Sequence, residues 1–448
     1  MNPASSPRLL AAALAIGVLA LASGPARADF IYARLVPGVG LQANGASVDV
    51  DVSSDGRTVV FASDAQNWVG DTYNGTRAVA VDLDTGVIDA VSALGGTVFR
   101  GESPVVSGDG RYVAFLTYSS SYGPNWQVLR KDRQTGALEL ASATATGQPA
   151  SGGTEDNTVS ISADGRYVAF QATASMTDVA GRPGGGAPSG SSGEIYVKDM
   201  TTGQVKIASV MSDGSASGSN CSLERHALSS SGRYLVMLCS DAMVAGATNG
   251  QAYVRDLQAN TTELISRSAT APNGASAFGN RPAISPSGRF VSFQTRSYGG
   301  LGYADGASET SNSGIYLRDR QAGTTIAIPR PALMPSTSYD SCAVSAVSDV
   351  ASVVFHCNYN WTGPGSYPQV FLFVPGSAPE MISGTAGGQA GNNAAGYSLG
   401  VNASGLSMAW ESSASNIDPG DTNGVSDIFV LVDESVVSDV IFANGFED

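Results

Sequence analysis

Apolar runs of four or five residues recur along this chain, each introduced by the same small polar cluster. Ser162-Ala-Asp-Gly-Arg166 leads into Tyr167-Val-Ala-Phe170, and Ser107-Gly-Asp-Gly-Arg111 leads into Tyr112-Val-Ala-Phe115. Variants begin at Ser53, Ser229 and Ser285, and weaker echoes end at Phe355 and Trp410. Each copy predicts a hairpin. Gly accepts positive φ without steric cost, and the Asp before it bonds the backbone that follows, so Asp-Gly turns the chain tightly. The run after the turn is apolar at consecutive positions, which predicts a strand buried on both faces. A propeller blade held between two neighbours satisfies that demand, and a unit repeated seven times predicts seven blades.

Taken in order, the pattern predicts blades over residues 47–93, 103–143, 158–210, 226–267, 281–329, 341–384 and 397–433. The fold class is therefore all-β, a seven-bladed propeller of four-stranded antiparallel blades spanning residues 29–433. The seventh blade has three clear strands, ending at Ile428–Val432, whereas Phe30–Val36 reads as a fourth strand without a first three. Pairing 30–36 with 428–432 closes the ring and removes two open sheet edges. Ser435 to Ile441 is a second candidate for that outer strand. A second tight turn joins the third and fourth strands, as in Asp132-Arg-Gln-Thr-Gly136 and Asp199-Met-Thr-Thr-Gly203. In the fourth blade Asn260 replaces its Gly, the substitution expected at a left-handed position. Antiparallel pairing sets the Arg of the first turn beside the Asp ending the third strand, predicting Arg57–Asp82, Arg111–Asp132, Arg166–Asp199, Arg233–Asp256 and Arg289–Asp319.

The strings Ser162 to Phe170 and Ile195-Tyr-Val-Lys-Asp199 resemble the PD40, or TolB-type, WD40-like propeller repeat. The resemblance covers nearly all of residues 30–433 and implies that fold. Its implied roles are broad, because such repeats serve in periplasmic scaffolds, surface proteins and peptidase accessory domains. The tail over 434–448 resembles a short ending on exported proteins of some gram-negative bacteria, through Ile441, Phe442, Gly445, Phe446 and Glu447. That resemblance implies an address or processing signal; a frayed terminus fits the same residues.

The amino-terminal pattern differs from all of this. Arg8 precedes an apolar run from Leu9 to Ser23, then Ala26-Arg27-Ala28, so residues 1–28 read as a secretory signal peptide. Export predicts a periplasmic or extracellular, protein-binding chain with no membrane span. The whole chain carries a formal charge of −15. This acidity argues against nucleic acid, which is bound through Lys and Arg on phosphates. The four cysteines then predict disulfides. Cys342 and Cys357 flank one hairpin at matching distances, Cys239 shares the repeat position of Cys357, and Cys221 precedes its hairpin. The expected pairs are Cys221–Cys239 and Cys342–Cys357.

Candidate chemistry is sparse. His226 and His356 are the two histidines, with no partner motif for a triad or a zinc site. Asp421, Asn423 and Asp427 offer oxygens at short odd spacings, as calcium loops do, and Ca²⁺ is the one cofactor this suggests. The same Asn-Gly also makes an ordinary turn. The loops between second and third strands hold Trp68, Tyr122, Trp126, Tyr303, Tyr359 and Trp361, candidate stacking surfaces for a peptide or glycan. The expected function is a monomeric, non-catalytic binding or scaffold propeller recognising a protein, peptide or glycan. The alternative is a carbohydrate-active hydrolase or lyase with paired carboxylates at the channel mouth.

Overall fold

A computed structural model describes residues 30–38, 41–150, 153–172, 193–214, 221–269, 271–274, 279–296, 301, 313–329, 341–358, 367–385 and 387–437. The leader at 1–28 and the tail residues from 438 onward lie outside the described residues. The chain forms seven antiparallel four-stranded blades around a central axis. No helix among the described residues is long and apolar enough to cross a membrane.

Blade 3 shows the local logic. Its strands are Thr154–Ile161, Tyr167–Ala172, Glu194–Asp199 and Val205–Ile207, from the axis outward. The Ser162 hydroxyl is buried in the first turn, where it donates to Asp164 at 2.6 Å and accepts the Tyr167 N–H at 2.9 Å. Asp164 in turn accepts the Arg166 N–H at 3.0 Å. The Ser-x-Asp-Gly-Arg string is thus a self-satisfied turn, and Gly165 sits at φ 69°. Blade 6 holds the turn with Ala351 at φ 65°, and Asn260 takes φ 57° in the outer turn of blade 4, as its position predicted.

The last residue of each motif fills the space between blades. Phe61, Phe115, Phe170, Met237, Phe293, Phe355 and Trp410 are all buried. Several stack on the third strand: Phe170 on Tyr196 at 5.9 Å, Phe293 on Tyr316 at 5.6 Å and Trp410 on Phe429 at 6.3 Å. Each such side chain contributes about 1.5–3 kcal/mol of burial, so the core is a chain of inter-blade clusters rather than one central mass.

On the short-turn face, backbone bonds pass from blade to blade around the axis. Asp55 N donates to Gly108 O, Gly108 N to Ala163 O, Ala163 N to Ser230 O and Ser230 N to Pro286 O. The run resumes from Asp349 N to Ala403 O and from Ala403 N to Ser54 O. Pro286 has no N–H to continue it. There Ser287 N reaches the Asp349 carboxylate at 2.7 Å instead.

Ring closure follows the expected pairing. Phe30–Arg34 is the outer strand of blade 7, antiparallel to Asp427–Asp433, with Phe30 opposite Asp433 and Arg34 opposite Phe429. The second candidate, 435–441, does not take that place. Val436 and Val437 pack instead against blade 1. Inner strands begin earlier than the repeat suggested, at Cys221 in blade 4 and Gly279 in blade 5. Both disulfides form as expected, Cys221–Cys239 and Cys342–Cys357, between directly opposed residues of neighbouring strands.

Four of the five expected ion pairs are present and bidentate. Arg111–Asp132, Arg166–Asp199, Arg233–Asp256 and Arg289–Asp319 each approach to 2.7 Å. Each guanidinium also lies over the aromatic ring that follows it, at 4.7–4.9 Å. Arg57 departs from the pattern. It meets Asp84 at 3.4 Å and donates to Val436 O, because the chain after the last strand passes over this turn. Asp82 instead caps its own turn at Asp84 and Thr85.

Candidate functional site

Backbone strain marks the site. Among the described residues, six non-glycine residues have positive φ. Asn260 and Ala351 occupy turn positions that Gly fills elsewhere. The other four, Asp49 (58°), Ser103 (48°), His226 (56°) and Arg281 (48°), all lie on the innermost segments of their blades. Asp49, Ser103 and Arg281 sit where the inner strand slips register against its neighbour. Each precedes the turn glycine by seven positions (56 − 49, 110 − 103, 288 − 281). A left-handed conformation costs a non-glycine residue about 1–3 kcal/mol and persists where the surroundings hold it. Here it recurs around one channel.

Blade 4 lies across the ring from the junction of blades 7 and 1, and two of its residues span that gap. The Arg225 guanidinium donates to Asp49 O at 2.9 Å and to Pro104 O, and stands 3.6 Å from the Asp49 carboxylate. His226 Nε2 bonds Leu399 O of blade 7 at 3.0 Å, and its Nδ1 lies 3.6 Å from Asp51. Asp51 is itself held by the N–H groups of Val52 and Val106, at 2.7 and 2.9 Å. This cross-brace closes the channel. Beneath it, towards the short turns, a space of about 60 Å³ is lined by Asp51, His226, Ser160 and the inner turns, room for a few waters.

Above the brace the mouth is charged. Glu411, buried behind the inner strand of blade 7, accepts the Asp49 N–H at 2.9 Å and the Ser398 hydroxyl at 2.8 Å. Burial outweighs these bonds and pushes its carboxyl up to about 7, with the Asp49 charge adding to the rise. Burial likewise raises Glu224, against the pull of Arg281. His356 is held neutral, its pKa lowered to about 4 by burial, with Nδ1 on Gly396 O. Its ring meets the edge of Tyr397 at 6.0 Å. Arg281 and Tyr397 (61% exposed), both on inner strands, are open to solvent.

The aromatics expected to form the ligand surface divide. Trp68 is a correction: it is buried, with its indole N–H on Ser47 at 3.2 Å and its ring 4.8 Å from Phe61. It serves the core because the loop folds inward through Gln66–Trp68 as a 3-10 turn. Trp126 and Tyr122 are half-buried in blade 2. Trp126 carries Arg100 over its ring at 4.7 Å and exposed Tyr118 at 5.7 Å, while Tyr122 meets Phe99 at 6.3 Å. Tyr303, Tyr359 and Trp361 lie outside the described residues.

The carboxylates suggested for calcium face a cation of the chain itself. Arg34 reaches Asp418 at 2.7 Å and Asp427 at 3.3 Å. Asn423 turns its amide nitrogen, not its oxygen, to Asp427, at 3.0 Å. Among the described residues, no group of three or more His, Cys, Asp or Glu is arranged to hold a metal ion.

Sequence reading missed Arg225, Arg281, Glu411, Tyr397 and the role of Asp49. For Asp49, Arg225 and Arg281 the available signal was a polar residue seven places before the turn glycine.

No family model matches this chain, and no curated protein does. Solved structures match in shape. Oligogalacturonate lyase from Vibrio parahaemolyticus aligns with a TM-score of 0.51 at 9% identity, over 94% of this chain and 97% of that one. The β-propeller domain of the Trilobed protease from Pyrococcus furiosus aligns with a TM-score of 0.51 at 10% identity, over 86% and 93%. TolB from Acinetobacter baumannii aligns with a TM-score of 0.38 at 16% identity, over 72% and 75%. The first two likenesses show the propeller fold.

Proposed function

We propose that this chain is an exported binding propeller that engages an acidic group of a peptide, protein or glycan at the channel mouth on the long-loop face. The carrying observation is the set of strained inner-strand residues around the channel, among them exposed Arg281, together with exposed Tyr397 on the inner strand of blade 7. The exposed Arg281 guanidinium suits a carboxylate, because its planar fork can donate to both oxygens at once. Tyr397 and the Trp126–Tyr118 patch add stacking area at low entropy cost. The brace supports binding rather than turnover, since Arg225, His226, Asp49 and Asp51 are engaged with one another and with backbone. Export is supported by the apolar leader and the two disulfides.

The test is a peptide and glycan array probed with the mature chain, repeated with Arg281→Ala and Arg166→Ala. Loss of the acidic-ligand signal with the first variant alone supports the reading. A signal retained by Arg281→Ala, or lost equally in both, overturns it.

One observation favours an enzyme instead. Glu411, held near neutrality beside Asp49, has the unequal carboxylate environment that acid–base cleavage of a glycosidic bond requires. Glycan turnover abolished by Glu411→Gln would establish that reading.

A further inference from the structure

Three of the four seams among blades 1 to 5 are closed on the short-turn face by a guanidinium. Between blades 1 and 2, Arg133 donates to the Asp89 carboxylate at 2.6 Å and to Gly110 O at 2.7 Å. Between blades 2 and 3, Arg130 donates to Glu139 and to Gly165 O, and lies over the Tyr112 ring at 4.6 Å. Between blades 4 and 5, Arg320 donates to Glu263 at 3.0 Å and to Gly288 O at 2.5 Å, and lies over the Tyr234 ring at 4.3 Å. In each seam the carboxylate belongs to the outer strand of one blade and the carbonyl to the first turn of the next. A guanidinium suits this role because its planar fork serves two acceptors and its flat face covers a ring.

The seam between blades 3 and 4 departs from this at every position. Lys206 stands opposite Val197, where Glu139 stands opposite Arg130 and Glu263 opposite Val254. Leu257 follows Asp256, where Arg133 follows Asp132 and Arg320 follows Asp319. Gly232, buried in the first turn of blade 4, receives no donor at its carbonyl among the described residues. Tyr167 carries one guanidinium, Arg166 at 4.9 Å, where Tyr112 and Tyr234 carry two each. What remains is a cavity of about 440 Å³, lined by buried Val197 and Leu257, by Tyr167 and Gly232, and by exposed Lys206. That volume lies within the roughly 300–1,000 Å³ of ligand pockets. Arg166 and Arg233, also on its lining, are held by Asp199 and Asp256 at 2.7 Å. The Lys206 ammonium reaches Leu257 O at 3.3 Å and meets no carboxylate among the described residues.

We propose that this seam is a docking site for an extended acidic peptide segment of a partner protein. A main-chain N–H of the peptide donates to Gly232 O, a carboxylate side chain meets Lys206, and an apolar or aromatic neighbour covers Tyr167, Val197 and Leu257. A basic side chain would satisfy the carbonyl and the ring, as Arg320 does in the next seam. It would then face Lys206 in place of a carboxylate, and juxtaposed like charges exclude the wrong partner. The sign of Lys206 therefore selects an acidic peptide. This site is separate from the channel mouth and does not rest on Arg281 or Tyr397.

The test titrates the mature chain with three labelled, end-capped pentapeptides, read by fluorescence anisotropy. One carries aspartate beside phenylalanine; the others carry asparagine or lysine in place of the aspartate. A photoreactive analogue of the phenylalanine then reports the site by cross-linking and mass spectrometry. The aspartate peptide is expected to saturate below about 1 mM, with the other two at least about tenfold weaker, and to cross-link to the segments holding Tyr167 or Leu257. Lys206→Glu restores the acid of the sister seams and is expected to reverse the preference towards the lysine peptide. Adding Leu257→Arg to it rebuilds the clamp seen between blades 4 and 5, and should abolish binding of both peptides and raise the melting temperature above that of Lys206→Glu. Lys206 is exposed, so the single variant tests the site whether or not the double variant folds. Absence of saturable binding, equal binding of the three peptides, or a preference unchanged by Lys206→Glu overturns the proposal. Cross-links confined to the segment around Tyr397 place binding at the channel mouth, which overturns this site and leaves the reading of the mouth standing.

Discussion

Glu411 gives this fold an inverted pH dependence at one residue. Its carboxyl is 7% exposed and its pKa rises from 4.5 to about 7 on folding. Below about pH 4.5 the folded and unfolded chains both hold the proton, and the residue costs nothing. Between 4.5 and 7 the folded chain keeps a proton that the unfolded chain has lost, so stability falls as pH rises. Above 7 both are ionised and the penalty is constant. A rise of this size corresponds to about 3 kcal/mol. Glu411→Gln removes the charge while its side-chain oxygen can still accept from Asp49 N and Ser398 Oγ. The variant is therefore expected to exceed the wild-type chain in stability by up to about 3 kcal/mol near pH 8, the difference shrinking towards zero near pH 4. Urea unfolding followed by tryptophan fluorescence at a series of pH values measures this. A difference between the two chains that does not change with pH would refute the reasoning, since the buried charge would then not be its source.

Three further outcomes follow from named contacts. Trp410→Ala empties a fully buried site against Tyr32 and Phe429 and should cost about 3–5 kcal/mol in denaturant unfolding; a loss below about 1 kcal/mol would mean the blade collapses into the gap. A double-mutant cycle on Arg166 and Asp199 should show coupling at neutral pH that fades in acid, because the Arg166 hydrogen bonds hold the Asp199 carboxyl well below its usual range. Stability from that carboxylate is present above its unfolded pKa and lost as pH falls; additive single effects at neutral pH would contradict the pair. Deleting residues 29–37 removes the outer strand of blade 7 and buried Ile31, Tyr32, Ala33 and Leu35, so the whole ring should lose stability; unchanged unfolding would rule out closure by that strand.

The architecture was legible because its cause is local and repeated. A Ser-x-Asp-Gly-Arg turn satisfies its own polar groups, and the apolar run after it must be buried on both faces. Seven repetitions of that requirement leave little but a propeller. The orphan strand at Phe30, the cysteine pairs and four Arg–Asp pairs followed from repeat position, which encodes strand register. Arg57 escaped because the backbone at Val436, far along the chain, engages its guanidinium. The channel mouth was illegible for the same physical reason. Arg225 and His226 act on residues of blades 1, 2 and 7, more than a hundred positions away, and only the curvature of the closed ring brings them together. Trp68 and Trp126 look alike in sequence, yet one fills a core and the other a half-open face, a difference set by how each loop folds back on its blade. Local hydrogen bonding and the burial pattern determined the blades. Closure decided the site, because which charges meet across the axis depends on the number of blades and on their inner strands arriving at one height.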